Sequence, residues 1–169
     1  DVYKRQLSPS LLIKLSSDTK LLLQADYLSD RRVTDFGIPA YHGLPVNVPV
    51  GTYYGAANAR NFDYSQSRVT SFGFTLDHRF NDVWSIRNAF RHYNYSLDRN
   101  NTLVGSVNEA AQTVSLTRSN VRREEDGYFN QTELTQKTTL AGMSHQLLYG
   151  VELSLSLIHI SEPTRQAEI

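Results

Sequence analysis

The side chains of this 169-residue chain that could make or break bonds are scattered, and their spacing does not gather them into a reaction centre. The histidines His42, His78, His92, His145 and His159 show no metal-ligand spacing with carboxylates. Cysteine is absent, which removes disulfides and thiolate metal sites together. No serine, histidine and acid are marked by a nucleophile-elbow motif. The paired carboxylates Glu124 and Glu125 sit in the run Arg122-Arg123-Glu124-Glu125-Asp126, where charge is ordinarily solvated and cross-strand ion pairs contribute little. The expectation is therefore no enzyme, no catalytic residue, no metal site and no cofactor. What stands out instead is aromatic: 10 tyrosines and 7 phenylalanines, side chains that pack and stack.

Charge is balanced, with 17 basic and 17 acidic residues, which argues against a nucleic-acid partner whose affinity would come from neutralising phosphates. Hydrophobic residues make up 40% of the chain and mean hydropathy is -0.42. No apolar run reaches the roughly 18 residues that a membrane helix requires. A membrane barrel remains open, because lipid-facing and lumen-facing residues alternate along each strand and keep average hydropathy low.

The elements that must position these residues have a period of two. From Arg68 to Phe80, Phe72, Phe74, Leu76, His78 and Phe80 occupy one parity, while Ser71, Gly73, Thr75, Asp77 and Arg79 occupy the other. A helix would scatter those aromatics around its circumference. Asn81-Asp82 then makes a short turn, and the following segment sets Trp84, Ile86 and Phe90 opposite Ser85, Arg87, Arg91, Tyr93 and Tyr95. An earlier hairpin joins residues 10–15 and 20–30 through Ser16-Ser17-Asp18-Thr19, with Leu21, Leu23, Ala25 and Tyr27 opposite Gln24 and Asp26. A polar strand over residues 113–135 and a last strand carrying Leu147, Tyr149, Val151 and Leu153 flank a turn at residues 138–142. The pattern predicts six antiparallel strands in meander order. Tight turns near Ser17, Asn81 and Leu140 alternate with long connections over residues 31–66 and 99–112. Short turns on one rim and long loops on the other mark outer-membrane barrels, whose long loops lie outside the cell.

The two ends read differently. The run Leu155-Ser156-Leu157-Ile158-His159-Ile160 is similar to a translation of the transposase sequencing adapter CTG TCT CTT ATA CAC ATC. Asp1-Val2-Tyr3-Lys4-Arg5-Gln6 can be written GAT GTG TAT AAG AGA CAG, its reverse complement. Adapters flank an insert as inverted repeats, so residues 1–6 and 155–169 are expected to be non-native, His159 among them, and 7–154 to be the biological segment. The absence of a leader or motif is then uninformative.

Within that segment, Asp35-Phe36-Gly37-Ile38-Pro39-Ala40-Tyr41-His42-Gly43-Leu44-Pro45-Val46-Asn47-Val48-Pro49 and Thr52-Tyr53-Tyr54-Gly55 resemble the first long outer loop of TonB-dependent siderophore receptors. Leu76-Asp77-His78-Arg79-Phe80-Asn81-Asp82, then Trp84-Ser85-Ile86-Arg87-Asn88 and Phe90-Arg91, resemble the family's down-strand, periplasmic turn and up-strand. Asn130-Gln131-Thr132-Glu133-Leu134 and His145-Gln146-Leu147-Leu148-Tyr149-Gly150-Val151-Glu152 are similar to its next pair. The resemblance covers the whole segment in order.

It implies an all-β fold, an open section of a roughly 22-stranded transmembrane β-barrel in the bacterial outer membrane. The function implied is import of ferric siderophores with energy from the TonB complex, which would be contacted through an N-terminal segment outside this chain. Iron would arrive already chelated. Gln24, Asp26, Asp77, Arg79, Arg87 and Arg91 would face the lumen and its plug, with Phe72, Phe74, Leu76, Trp84 and Phe90 facing lipid. Siderophores are bulky, often aromatic and anionic, so Tyr41, His42, Tyr53, Tyr54 and Arg60 are the expected ligand contacts through stacking and charge. The Gly37-Ile38-Pro39 loop resembles catecholate-type receptors, while the 77–82 segment is similar in hydroxamate-type receptors too, so catecholate is slightly favoured. Import of cobalamin or a glycan is the alternative within transporters, and a soluble all-β binding module the alternative outside them.

Overall fold

The structure, a computed structural model, describes residues 2–161. Asp1 and residues 162–169 of the two ends assigned above to adapter sequence lie outside the described residues. The elements are β1 (Val2–Leu7), β2 (Ser10–Lys14), β3 (Thr19–Val33), β4 (Ala40–Tyr41), β5 (Leu44–Pro45), α1 (Ala59–Phe62), β6 (Tyr64–Arg79), β7 (Trp84–Asn108), β8 (Thr113–Leu140) and β9 (Met143–Ser161).

Every long strand pairs antiparallel with its neighbour in sequence, which gives the expected meander. β1 and β2 lie end to end along β3, interrupted at Ser8-Pro9, where proline has no N–H to donate. Ala25 N still donates to Pro9 O at 3.1 Å, so the two pieces act as one edge strand. The tight turns fall where the turn-forming residues put them. Asn81 Oδ1 accepts from the backbone N–H groups of Val83 and Trp84, both at 2.9 Å, and closes the β6–β7 turn. Ala141 and Gly142, both at positive φ, form a two-residue turn between Leu140 and Met143, the kind that matches strand twist.

One expected connection is absent. Residues 99–112 were expected to form a long loop, whereas β7 continues to Asn108 and β8 begins at Thr113. The hairpin projects as paired strand with one irregularity between Val104 and Val107, where Ser115 Oγ accepts from Ser106 N at 2.8 Å. Arg99-Asn100-Asn101 has loop composition because the layer against this stretch is the polar loop 34–63, with Asn101 only 1% exposed beside the Thr34 hydroxyl, so no apolar alternation is imposed on it. The outer rim is therefore built from one true loop, residues 34–63, and one tall hairpin.

Strand pairing also includes Val2–Leu7 and residues 155–161. Ladder hydrogen bonds are made by backbone, so any peptide that tolerates extension can continue a strand.

Among the described residues no hydrophobic side chain is buried. Apolar side chains line one face of a single sheet instead. Register carries Leu23 to Phe74 to Phe90, and Leu21 to Leu76, across neighbouring strands. Phe74 and Phe90 stack at 5.6 Å between ring centroids. On β9 the same face presents Leu147, Tyr149, Val151 and Leu153, the last 67% exposed. Such a contiguous apolar face needs lipid or a partner to cover it. The other face carries Gln24, Asp26, Asp77, Arg79, Arg87 and Arg91, as the alternation requires.

Candidate ligand-binding wall at the outer rim

Loop 34–63 begins with an Asx turn, in which Gly37 N donates to Asp35 Oδ1 at 2.8 Å. It then forms the small β4–β5 hairpin, whose two-residue turn is His42-Gly43 at φ 50° and 80°. Two successive left-handed residues demand glycine or a tolerant polar residue, and this sequence supplies one of each. The turn sets the His42 ring edge-on to Tyr41, with centroids 4.2 Å apart and planes at 70°.

The β4–β5 hairpin faces the tip of the β7–β8 hairpin across a cavity of about 640 Å³. Tyr41, His42, Leu44, Pro45, Val46, Asn47, Val48 and Tyr54 form one wall, and Val107, Asn108, Glu109, Gln112, Thr113 and Val114 form the other. That size suits a small-molecule ligand, and the lining is mostly apolar and aromatic, with a few neutral polar groups and the carboxylate of Glu109.

The loop is fastened to β7 by a buried carboxylate. Asp63 is 1% exposed and accepts three hydrogen bonds: from Tyr53 OH at 2.7 Å, Ala56 N at 2.6 Å and Thr102 Oγ1 at 2.7 Å. Its backbone carbonyl accepts from Thr34 N at 3.0 Å, and the Thr34 hydroxyl lies 2.7 Å from the amide of Asn101, itself 1% exposed. Gly55 lies against this cluster, and any Cβ there would collide with the Tyr53 ring and the Asp63 carboxylate. Burial pushes the Asp63 carboxyl upward, but the donors from Ala56, Thr102 and Tyr53 together hold it below its ordinary value. The Tyr53 phenol is pushed up to about 12, first by desolvation and then by the adjacent carboxylate.

Two arginines complete the fastening. Arg118 Nη2 donates to Phe62 O at 3.0 Å, with its guanidinium 5.0 Å above the Phe62 ring. Arg31 donates to Arg60 O at 2.9 Å and to Gln66 Oε1 at 3.0 Å, and lies 4.0 Å over the Tyr64 ring.

Of the residues singled out in the sequence as ligand contacts, Tyr41, His42 and Tyr54 line the cavity together. Tyr53 points its hydroxyl at Asp63. Arg60 lines a separate recess of about 190 Å³ with Arg31, Arg32 and Tyr64. Asp63, Thr102 and Glu109 were missed. An acid between Phe62 and Tyr64 at the boundary of loop and strand is the signal that could have marked the first of them.

The set expected to face the lumen lies on one face of the sheet and forms cross-strand rows. Lys20, Asp77, Arg87 and Glu133 are successive register partners, so charges alternate in sign across four strands. They line a basin of about 510 Å³ that also holds Arg79. Arg79 Nε donates to Asp18 Oδ1 at 2.9 Å. Higher on the same face, Ser71 Oγ donates to Asp26 at 3.0 Å and Arg91 Nη2 donates to Ser71 Oγ at 3.1 Å. Gln24 is the register partner of Gly73.

Residues 6–161 match the family model described as TonB dependent receptor-like, beta-barrel. Over 148 residues, 86% of this chain, the sequence is 30% identical to the metal-pseudopaline receptor CntO of Pseudomonas aeruginosa strain PAO1. Those residues make up 20% of that relative, so the chain spans about one fifth of the length of the curated relative it matches. Among solved structures, the siderophore receptor PiuA of Acinetobacter baumannii superposes with a TM-score of 0.81 at 20% identity, over 95% of this chain and 26% of that one. The ferric-catecholate import receptor Fiu of E. coli K12, in its closed form, gives 0.77 at 21% identity, over 93% and 25%. These structural likenesses establish the fold, an open section of an all-β barrel wall, and the family is one of transport receptors rather than enzymes. The sheet with one apolar face, charged rows on the other and a loop and tall hairpin at one rim is thereby placed: the chain belongs to the family of TonB-dependent receptor β-barrels.

Proposed function

We propose that the protein to which this chain belongs binds ferric siderophores outside the bacterial outer membrane and imports them with energy supplied through TonB. The aromatic-rimmed cavity of about 640 Å³ at the outer rim carries this reading, because it joins a loop to a rigid hairpin at the end of a wall with one apolar face. Tyr41, His42 and Tyr54 would contact the ligand, with Tyr53 holding the wall in shape. The polar face, with its alternating charge row, would meet the plug. Coupling to TonB would run through a segment outside this chain.

Deleting residues 37–55 in the full-length receptor should abolish or strongly reduce uptake of radiolabelled iron supplied as siderophore, while the barrel remains folded in the membrane. Unchanged uptake by a correctly inserted deletion variant would remove this loop from the binding site. A second reading, import of a metal held by a chelator other than a catechol, draws support from the 30% identical relative named as a metal-pseudopaline receptor.

A further inference from the structure

The charges around the outer cavity speak to the kind of chelate it takes. Among the described residues that line it, Glu109 carries a formal charge and none is a lysine or arginine. Val46, Val48, Val107 and Val114 make its walls apolar, and Asn47 and Gln112 offer neutral amides. The neighbouring cations are held elsewhere. Arg118 is hydrogen-bonded to the Phe62 carbonyl, and Arg31 to Arg60 O and Gln66. Arg60, the cation assigned from the sequence to anion capture, lines the separate recess behind α1.

We propose that this cavity selects metal chelates of zero or positive net charge, the neutral ferric trihydroxamates among them, over trianionic ferric tricatecholates. The inference rests on the reading of the chain as part of a siderophore receptor and reverses the slight sequence preference for catecholates. A chelate carrying three negative charges that enters the cavity meets the Glu109 carboxylate with no lysine or arginine beside it among the described residues of the lining. Three charges at about 8 Å from one carboxylate, in a water-like dielectric, weaken binding on the order of tenfold. A neutral chelate avoids that repulsion and keeps the contacts with Tyr41, Tyr54 and the valines. Tyrosine hydroxyls and side-chain amides can donate to hydroxamate oxygens without needing charge.

The test uses the full-length receptor in detergent and two probes of similar size, a neutral ferric trihydroxamate and a trianionic ferric tricatecholate. Affinities are measured at low and at physiological ionic strength for the native protein, Glu109→Gln and Glu109→Lys. Glu109 is exposed at the hairpin tip, so the variants fold. The expected result is about tenfold tighter binding of the trihydroxamate by the native protein at low ionic strength, shrinking to a few-fold at physiological salt. Glu109→Gln should narrow that ratio and Glu109→Lys should narrow it further or invert it, with the largest change at low salt. Tighter binding of the tricatecholate, or a ratio indifferent to both substitutions, overturns the charge inference while leaving the siderophore reading intact. A correctly inserted receptor that binds neither probe overturns both.

Discussion

Removing the Asp63 carboxylate should release the outer loop without unfolding the barrel. In Asp63→Ala, Tyr53 OH, Ala56 N and Thr102 Oγ1 each lose their acceptor. Hydrogen bonds to a charged group contribute about 1.5 to 3 kcal/mol each. Tyr53 is 37% exposed and regains water, whereas Thr102 at 8% does not, so the three together come to about 3 to 5 kcal/mol of local stability. That corresponds to roughly a 150-fold to 5,000-fold rise in the open population of residues 34–63. Hydrogen exchange on the full-length receptor would report it at the Ala56 amide, with limited proteolysis of the loop as a second readout and thermal unfolding of the barrel as the control. Asp63→Asn should give an intermediate effect, since the amide oxygen still accepts but the charge is lost. The pH dependence has a definite sign. The folded carboxyl titrates below its ordinary value of 3.8, so its contribution is present above that pH and is lost as pH falls through the lower, folded value. Loop protection should thus be flat across neutral and mildly acidic pH and fall only below about 3.8. An Ala56 amide as protected in Asp63→Ala as in the native protein would refute the idea that this carboxylate fastens the loop.

Facing can be checked by charge insertion: Phe74→Arg, in the lipid-side row, should cost about 2 to 4 kcal/mol in detergent refolding if it lies near the bilayer midplane, and Thr135→Arg, in the lumen-side basin, should be milder. Equal effects would show the parity to be reversed. The terminal segments are expected to be foreign, so mass spectrometry of the protein purified from its natural host should find a contiguous barrel sequence without the 1–6 and 155–169 peptides; recovering either one would refute their adapter origin.

The spanning wall was legible because lipid and water on opposite faces force a period of two, and Phe72, Phe74 and Leu76 display it against Ser71, Gly73 and Thr75. Turns were legible because Ser16 to Thr19, Asn81-Asp82 and Ala141-Gly142 combine turn chemistry with short spacing. Both signals are local. Beyond the apolar band the first one fails, since β7 after Asp98 is covered by the polar loop 34–63, with Asn101 and Thr102 buried against it, and Arg99-Asn100-Asn101 looks like loop although it is paired with residues 119–121. The Asp63 cluster was invisible for another reason: its partner Thr102 is 39 residues away, and no periodicity links them. Tyr53 was recognised as a functional type of residue but not by its role, because the direction of its hydroxyl depends on that distant pairing.

If the outer cavity is where ligand is caught, the height of the β7–β8 hairpin separates capture from passage. From Trp84 to Val107, at about 3.3 Å per residue and a strand tilt near 45°, the wall climbs on the order of 55 Å, of which the hydrocarbon layer accounts for about 25 to 30 Å. The cavity at the tip therefore stands roughly 25 Å clear of the lipid tails. On the proposed reading, a ligand held there would still be outside the headgroup layer, with a descent of several times its own diameter before the barrel's waist. Affinity at the tip would, on that same reading, govern how often the transporter is loaded, and a grip that is too firm would slow the first leg of that descent.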